Sequence, residues 1–396
     1  MAERNRIESI DIMRGLTLIL MLFVNDLHMP GVPAWLGHRA ADFDGMGLAD
    51  WVFPGFLFMV GMAIPFAIGG RISKGENSSS ILHHILIRSV SLLIIGVLMS
   101  NSRNVNAEFT GMSKSLWSLI MYSGVFLIWN NYKVTDKNRF LVSGLRIAGI
   151  AMIIPMVYIF RSGDQEIHSF SFRSWGILGT IGWGYLVASL VYMAARDNIM
   201  KTAIAIIFFL TLNLLSKLHL LDFLNPVKPV FGIIINGNAP FIVLSGLFIT
   251  LILKKLSIKD ARKTILTIAS LGILCILAGF MLRQWFIISK IQSTPSWGLI
   301  CNGISMMLFA LLFWIIDIKK YIKWGLFLKP AGANSLTVYL VPDMFYYIIW
   351  QFSLPFLFYK HSDFPLVVIA GSLGWALVMG AALPLLLERI NLRLKL

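Results

Sequence analysis

Imidazoles and carboxylates crowd one short polar stretch near the start of the chain. Between positions 25 and 50 stand Asn25, Asp26, His28, His38, Asp42, Asp44 and Asp50. A neutral imidazole can take a proton from an attacking amine or hydroxyl and return it. It can also attack an activated acyl group as a nucleophile. His38 stands between two apolar runs and close to several acids, so it is the leading candidate. His28, at the end of the first run, competes with it. Asp26 or Asp50 would orient the ring. Asp50 opens the stretch ADWVFPGFLFMVG, where an acid also suits the N-terminal end of a helix. Asp42 and Asp44 are candidates to hold a cationic or hydroxylated acceptor. The plain alternative for each of these groups is a solvated loop side chain, an interfacial group or a helix cap.

A second set of residues suits phosphate. Arg14, Arg71 and Arg88 flank apolar runs on what should be a common side, and a guanidinium contacts phosphate bidentately. A positive-inside bias places the same three residues equally well, and Asp11 with Arg14 reads as a local ion pair. There is no Walker A sequence and no dinucleotide fingerprint. GTIGWG at 179–184 lies within an apolar run, where small residues permit close helix packing. Asn334, in PAGANSL, would cap a helix or bond across the bundle. Asp343 follows Pro342 in an apolar region, so a proline-broken helix with a buried acid is expected there as a cavity wall. Trp297 and Trp175 are expected as interfacial anchors, with stacking on a sugar as the sharper alternative.

The elements that must position these groups are apolar helices. The chain of 396 residues is 57% hydrophobic and 13% charged, with mean hydropathy +0.78. A soluble domain carries about twice that charged fraction. Twelve runs long enough to span a bilayer are predicted near 15–29, 49–70, 82–100, 114–130, 142–160, 175–195, 201–217, 238–254, 264–287, 298–317, 332–351 and 364–387. Pro342 and Pro355 interrupt the eleventh, so ten to twelve crossings fit. The first run has no clear cleavage site and many spans follow, so it reads as a span rather than a leader. The loop 218–237, rich in turn residues, is expected to fold back into the protein. The fold class is therefore all-α: a polytopic integral membrane helical bundle forming one domain over residues 1–396.

Charge sets the expected orientation. With the N-terminus placed in the cytoplasm, 24 of the 34 lysines and arginines fall on the cytoplasmic side, Arg4, Arg6 and Lys259 among them, and 10 on the other, Arg173 among them. Both termini are then cytoplasmic. The formal charge of +15 is explained by this bias, with membrane lipid as the partner and no nucleic acid. Cys275 and Cys301 lie in apolar runs and point to neither a disulfide nor a metal site.

The chain resembles the bacterial branch of the heparan-alpha-glucosaminide N-acetyltransferase family. The resemblance rests on IESIDIMRGLTLILMLFVN at 7–25, GLADWVFPGFLFMVG at 47–61, SWGILG at 174–179, STPSWGLICNGISMMLF at 293–309 and KPAGANSLTVYL at 329–340. It implies a multi-pass protein of the bacterial cell inner membrane that uses cytoplasmic acetyl-CoA and no metal to acetylate an amino sugar, such as glucosamine, on the far side. His38 best matches the family's loop histidine, and Asn25, Asp50 and Asn334 match other recurrent positions. Arg14, Arg71, Arg88, Asn25 and Asn334 would then hold acetyl-CoA. His28, Asp42, Asp44, Trp297 and Asp343 would face the sugar or glycan acceptor. His38 would act as general base, or carry the acetyl group itself. The resemblance also implies a homodimer. The competing classes are an O-acyltransferase of a cell-surface glycan and a sugar or muropeptide transporter.

Overall fold

A computed structural model describes residues 7–163, 166–172, 174–256 and 260–396. Arg4, Arg6, Arg173 and Lys259 of the charge map lie outside the described residues. The protein is a membrane helical bundle. The helices that build it are α1 (Glu8–Asp26), α2 (Leu48–Ile72), α3 (Ser78–Ser102), α4 (Lys114–Trp129), α5 (Arg139–Ile159) and α6 (Gly176–Ala195). They continue with α7 (Ile199–Lys217), α8 (Lys228–Asn236), α9 (Asn238–Leu256), α10 (Ala261–Leu282), α11 (Pro295–Leu312), α12 (Ser335–Gln351) and α13 (Pro365–Leu377). Among the described residues, 9 helices are long and apolar enough to cross a membrane, and α4 is a shorter apolar helix.

Polar residues at the run boundaries start several of these helices. Asn77, Ser113 and Asn198 each accept a backbone N–H of the first turn of α3, α4 and α7. The start of α1 is capped from a distance: Asp317 accepts the N–H groups of Glu8 at 2.9 Å and Ser9 at 3.1 Å. That carboxylate satisfies donors which a helix cannot pair internally.

Glycine lets the helices meet. A side chain at Gly61 would stand 1.8 Å from the Val243 carbonyl oxygen, and one at Gly246 would stand 1.9 Å from that of Phe58. Backbone therefore touches backbone between α2 and α9, where Thr250 also donates to the Met62 carbonyl at 2.9 Å. Gly96 on α3 meets Gly179 on α6 in the same way. Gly182 and Gly184 of GTIGWG face neighbouring helices and the Gly179 backbone receives Gly96, so this stretch is a packing surface. Lipid is as apolar as leucine, and close approach gives these pairs their dispersion contacts.

Two sequence expectations are corrected. Pro342 lies inside the continuous helix α12; the chain breaks earlier, at Asn334, between the short helix Lys329–Ala333 and α12. Trp297 is not an interfacial anchor. It is buried, and its indole N–H donates to the Asp50 carbonyl at 3.1 Å. The loop 218–237 folds back as expected, into a 3₁₀ turn and α8, packed on α6, α7 and α9.

A candidate active site and a basic cavity

The site begins at the N-terminal end of α2. Asp50, 1% exposed, accepts the Gly47 N–H at 3.0 Å and so caps its own helix. The same oxygen accepts the Arg39 N–H at 3.1 Å. Its other oxygen lies 2.8 Å from Nδ1 of His38. An ionised carboxylate only accepts, so this contact puts the ring proton on Nδ1 and leaves Nε2 with its lone pair. The His38 side chain is 48% exposed.

A second loop completes the site. Asp44 accepts from Arg283 Nε and from the Ile288 N–H, both at 2.8 Å. Ser289 and Gln292 both donate to the Ala41 carbonyl at 2.9 Å. These bonds clamp residues 283–292 onto the His38 loop and deliver Lys290. Its ammonium lies 3.2 Å from Nδ1 and 3.5 Å from Nε2 of His38, and it donates to the Ala49 carbonyl at 3.2 Å. Burial pushes the Lys290 ammonium below the usual lysine range, with Asp50 pulling the other way. The Ile288 N–H, and then the Arg283 guanidinium, hold the Asp44 carboxyl below its usual value.

At the opposite end of the bundle a cavity of about 430 Å³ gathers Arg14, Arg71, Arg88 and Asn334, with Arg393 and Lys395. Arg14 pairs with Asp11 at 2.9 Å and Arg71 with Glu76 at 2.8 Å, while Arg88 stacks 4.8 Å above the Tyr185 ring. Asn334 donates to Glu388 at 2.7 Å, and its Oδ1 is buried with no hydrogen-bond partner. In the segment carrying Arg393 and Lys395, the Arg393 N–H donates to the Asn130 side-chain oxygen, the Arg393 carbonyl accepts the Asn131 N–H, and the Lys395 N–H donates to the Trp129 carbonyl. A second cavity, of about 540 Å³, lies at the His38 end and includes Lys290 and Arg103 in its wall. Leu178 and Tyr339 line both cavities.

The other predicted residues fall elsewhere. Asp26 is buried and bonded to Tyr346, to Tyr359 at 2.8 Å and to Lys360 at 2.7 Å, so it orients phenols and a lysine rather than His38. Asn25 is exposed at that same end of α1 and does not line the basic cavity. His28 and Asp42 are exposed. Asp343 accepts from Tyr122 at 2.7 Å on α12. Sequence reasoning missed Lys290, Arg103, Arg393 and Lys395. Lys290 and Arg103 carried a signal: they are two of the few basic residues assigned to the sparsely charged side.

Helices and site together define a multi-pass membrane protein with an imidazole–carboxylate pair at one end and a basic cavity at the other. Residues 6–220, more than half of the chain, match the family described as Domain of unknown function (DUF5009), and the chain belongs to that family. A stretch of 100 residues is 35% identical to heparan-alpha-glucosaminide N-acetyltransferase of Mus musculus, covering 25% of this chain and 15% of that protein. The Homo sapiens protein of the same name is 35% identical over 96 residues, covering 24% of this chain and 14% of its own length. The chain thus matches less than a fifth of either relative.

Proposed function

We propose that the protein is a transmembrane N-acetyltransferase of the bacterial inner membrane. It moves an acetyl group from cytoplasmic acetyl-CoA to the amine of glucosamine or a related amino sugar on the other side. In this reading the chain crosses twelve times with both termini in the cytoplasm. The helical state of all twelve apolar runs and the one-sided basic charge support that count.

The observation that carries the reading is the pair of cavities. One is basic, the other has Lys290 in its wall beside His38, and both are lined by Leu178 and Tyr339. The basic cavity fits the polyphosphate end of a nucleotide thioester: Arg14, Arg71, Arg88, Arg393 and Lys395 would meet phosphates. The unpartnered Oδ1 of Asn334 fits an N–H donor. Acetyl-CoA supplies an activated acyl carbon and a good leaving sulfur. His38 Nε2 takes the proton of the attacking amine and passes it to the departing sulfur. Asp50 holds the ring and stabilises the imidazolium formed between those two steps. Lys290 offers positive charge where the acyl oxygen becomes negative.

The test is a transfer assay on the purified protein in detergent, with acetyl-CoA and glucosamine and mass detection of the product. N-acetylglucosamine and free CoA should appear with the wild type and not with His38→Ala. A hydroxylamine-labile ester would instead select the O-acyltransferase. Sugar uptake into proteoliposomes without acetyl-CoA, and no transfer, would select the transporter.

A further inference from the structure

We infer that the acceptor carries an anionic group, a carboxylate or a phosphate, beside its amine, and that Arg103 and Lys228 hold that group in the cavity at the His38 end. The inference rests on the acetyl-transfer reading for the role of the cavity, and on the cavity wall for its charge. Among the described residues, that wall presents Arg103, Lys228 and Lys290 together with Ser100, Ser174 and Thr180, and no aspartate or glutamate. An acid accompanies each of these cations, Asp343 near Arg103 included, and all three acids stand outside the wall. Asp222 is 3.2 Å from Lys228 and does not line the cavity, and Asp50 lies behind Lys290 under the His38 ring. The acids expected to hold a cationic acceptor are committed or remote: Asp44 to Arg283 and Ile288, Asp42 exposed in its loop.

This charge pattern selects in two ways. An ammonium entering beside three cations is repelled, so the amine is favoured in its neutral, nucleophilic form. An anion elsewhere on the same molecule is attracted, and a partly enclosed wall strengthens that attraction over open water. Space is sufficient for a sugar. A side cavity of about 290 Å³ shares Phe53, Thr180, Gly232 and Ile233 with the first. It adds Asn236 and Asn238, and the buried Oδ1 of Asn238 has no hydrogen-bond partner. An acceptor of that kind suits a hydroxyl.

The experiment measures equilibrium binding to the full chain in detergent at low salt, by calorimetry, with no acetyl-CoA. The probes are glucosamine, glucosamine 6-phosphate and the carboxylate-bearing muramic acid. At least one charged sugar should bind 10-fold or more tighter than glucosamine, and which one does so separates phosphate from carboxylate. The ratio should collapse toward one in Arg103→Gln and Lys228→Gln, and should shrink with salt. Equal binding of all three sugars would overturn the inference, as would a preference that survives both substitutions. Binding does not require turnover, so the two readings fail separately. Anion preference without transfer sinks the acetyltransferase; transfer to glucosamine without anion preference sinks the anionic acceptor.

Discussion

Asp26 and Asp50 are alike in type, in burial and in standing at the same end of the bundle, yet they do opposite work. Each is 1% exposed. Asp50 spends its two oxygens on two backbone N–H groups and on a ring that remains half exposed. Asp26 spends its oxygens on Tyr346, Tyr359 and Lys360, all from the C-terminal third of the chain. The first arrangement leaves the second ring nitrogen of His38 outside the carboxylate's contacts. The second closes on itself and ties α1 to α12 and to the segment before α13. A buried acid in a membrane bundle is thus a reason to look, and its partners decide what it does.

Substitutions that separate the two acids test this contrast. The largest effect is expected at the group Asp50 serves: His38→Ala should lower transfer by about 10²–10⁴-fold, the usual share of general acid–base catalysis. Size-exclusion elution should be unchanged. Asp50→Asn comes next. It keeps the shape but offers the ring an amide, so transfer should fall while unfolding temperature drops modestly with the weakened cap. Asp26→Asn should reverse the pattern. Removing the acid from a buried pair leaves Lys360 without its counter-charge, a loss of about 3–5 kcal/mol when burial is complete and less here, because Lys360 is 21% exposed. Thermal unfolding should shift clearly, with turnover per folded molecule retained. A rate loss at Asp26 matching that at Asp50 would erase the distinction.

Much of the bundle was legible because its cause is local. Apolar runs of span length, bounded by capping residues such as Asn77 and Asn198, mark helices without knowledge of what they touch. His38 and Asp50 were legible for a related reason: they lie twelve positions apart, and a helix start fixes one of them. The assignments that went astray depend on distant segments. Pro54, four residues on, leaves the Asp50 carbonyl without its helical donor, but nothing local says that the distant Trp297 supplies it. Asp26 looked available because its three partners are more than 300 positions away. Lys290 was marked only by its place on the sparsely charged side, and its role beside His38 depends on the clamp from Asp44 to Arg283 and Ile288.

That clamp gives two smaller predictions on pH. Lys290 is held below the ordinary lysine range by burial, so it loses its proton earlier on the alkaline side than a solvated lysine would. If its charge assists transfer, the rate should fall along an alkaline limb set below the usual lysine value. Lys290→Arg should move that limb upward, because a guanidinium keeps its charge. A limb unchanged by the substitution would assign it to another group.

The smallest effect belongs to Asp44 itself. Its carboxyl is held below the usual aspartate value by the Ile288 N–H and then by Arg283. A depressed folded value means that ionised Asp44 stabilises the folded loop at pH above about 4, and that this contribution fades as the pH falls through the folded value. The group is largely solvated, so global unfolding should barely respond. Hydrogen exchange at the Ile288 and Gly45 amides is the sensitive readout, since both bridge the two loops. Protection there should fall on acidification in the wild type and be low at every pH in Asp44→Asn. Protection in the helix α2 should stay constant, because its cap comes from Asp50. Loss of protection spreading into α2 would mean that the two acids share one structural unit.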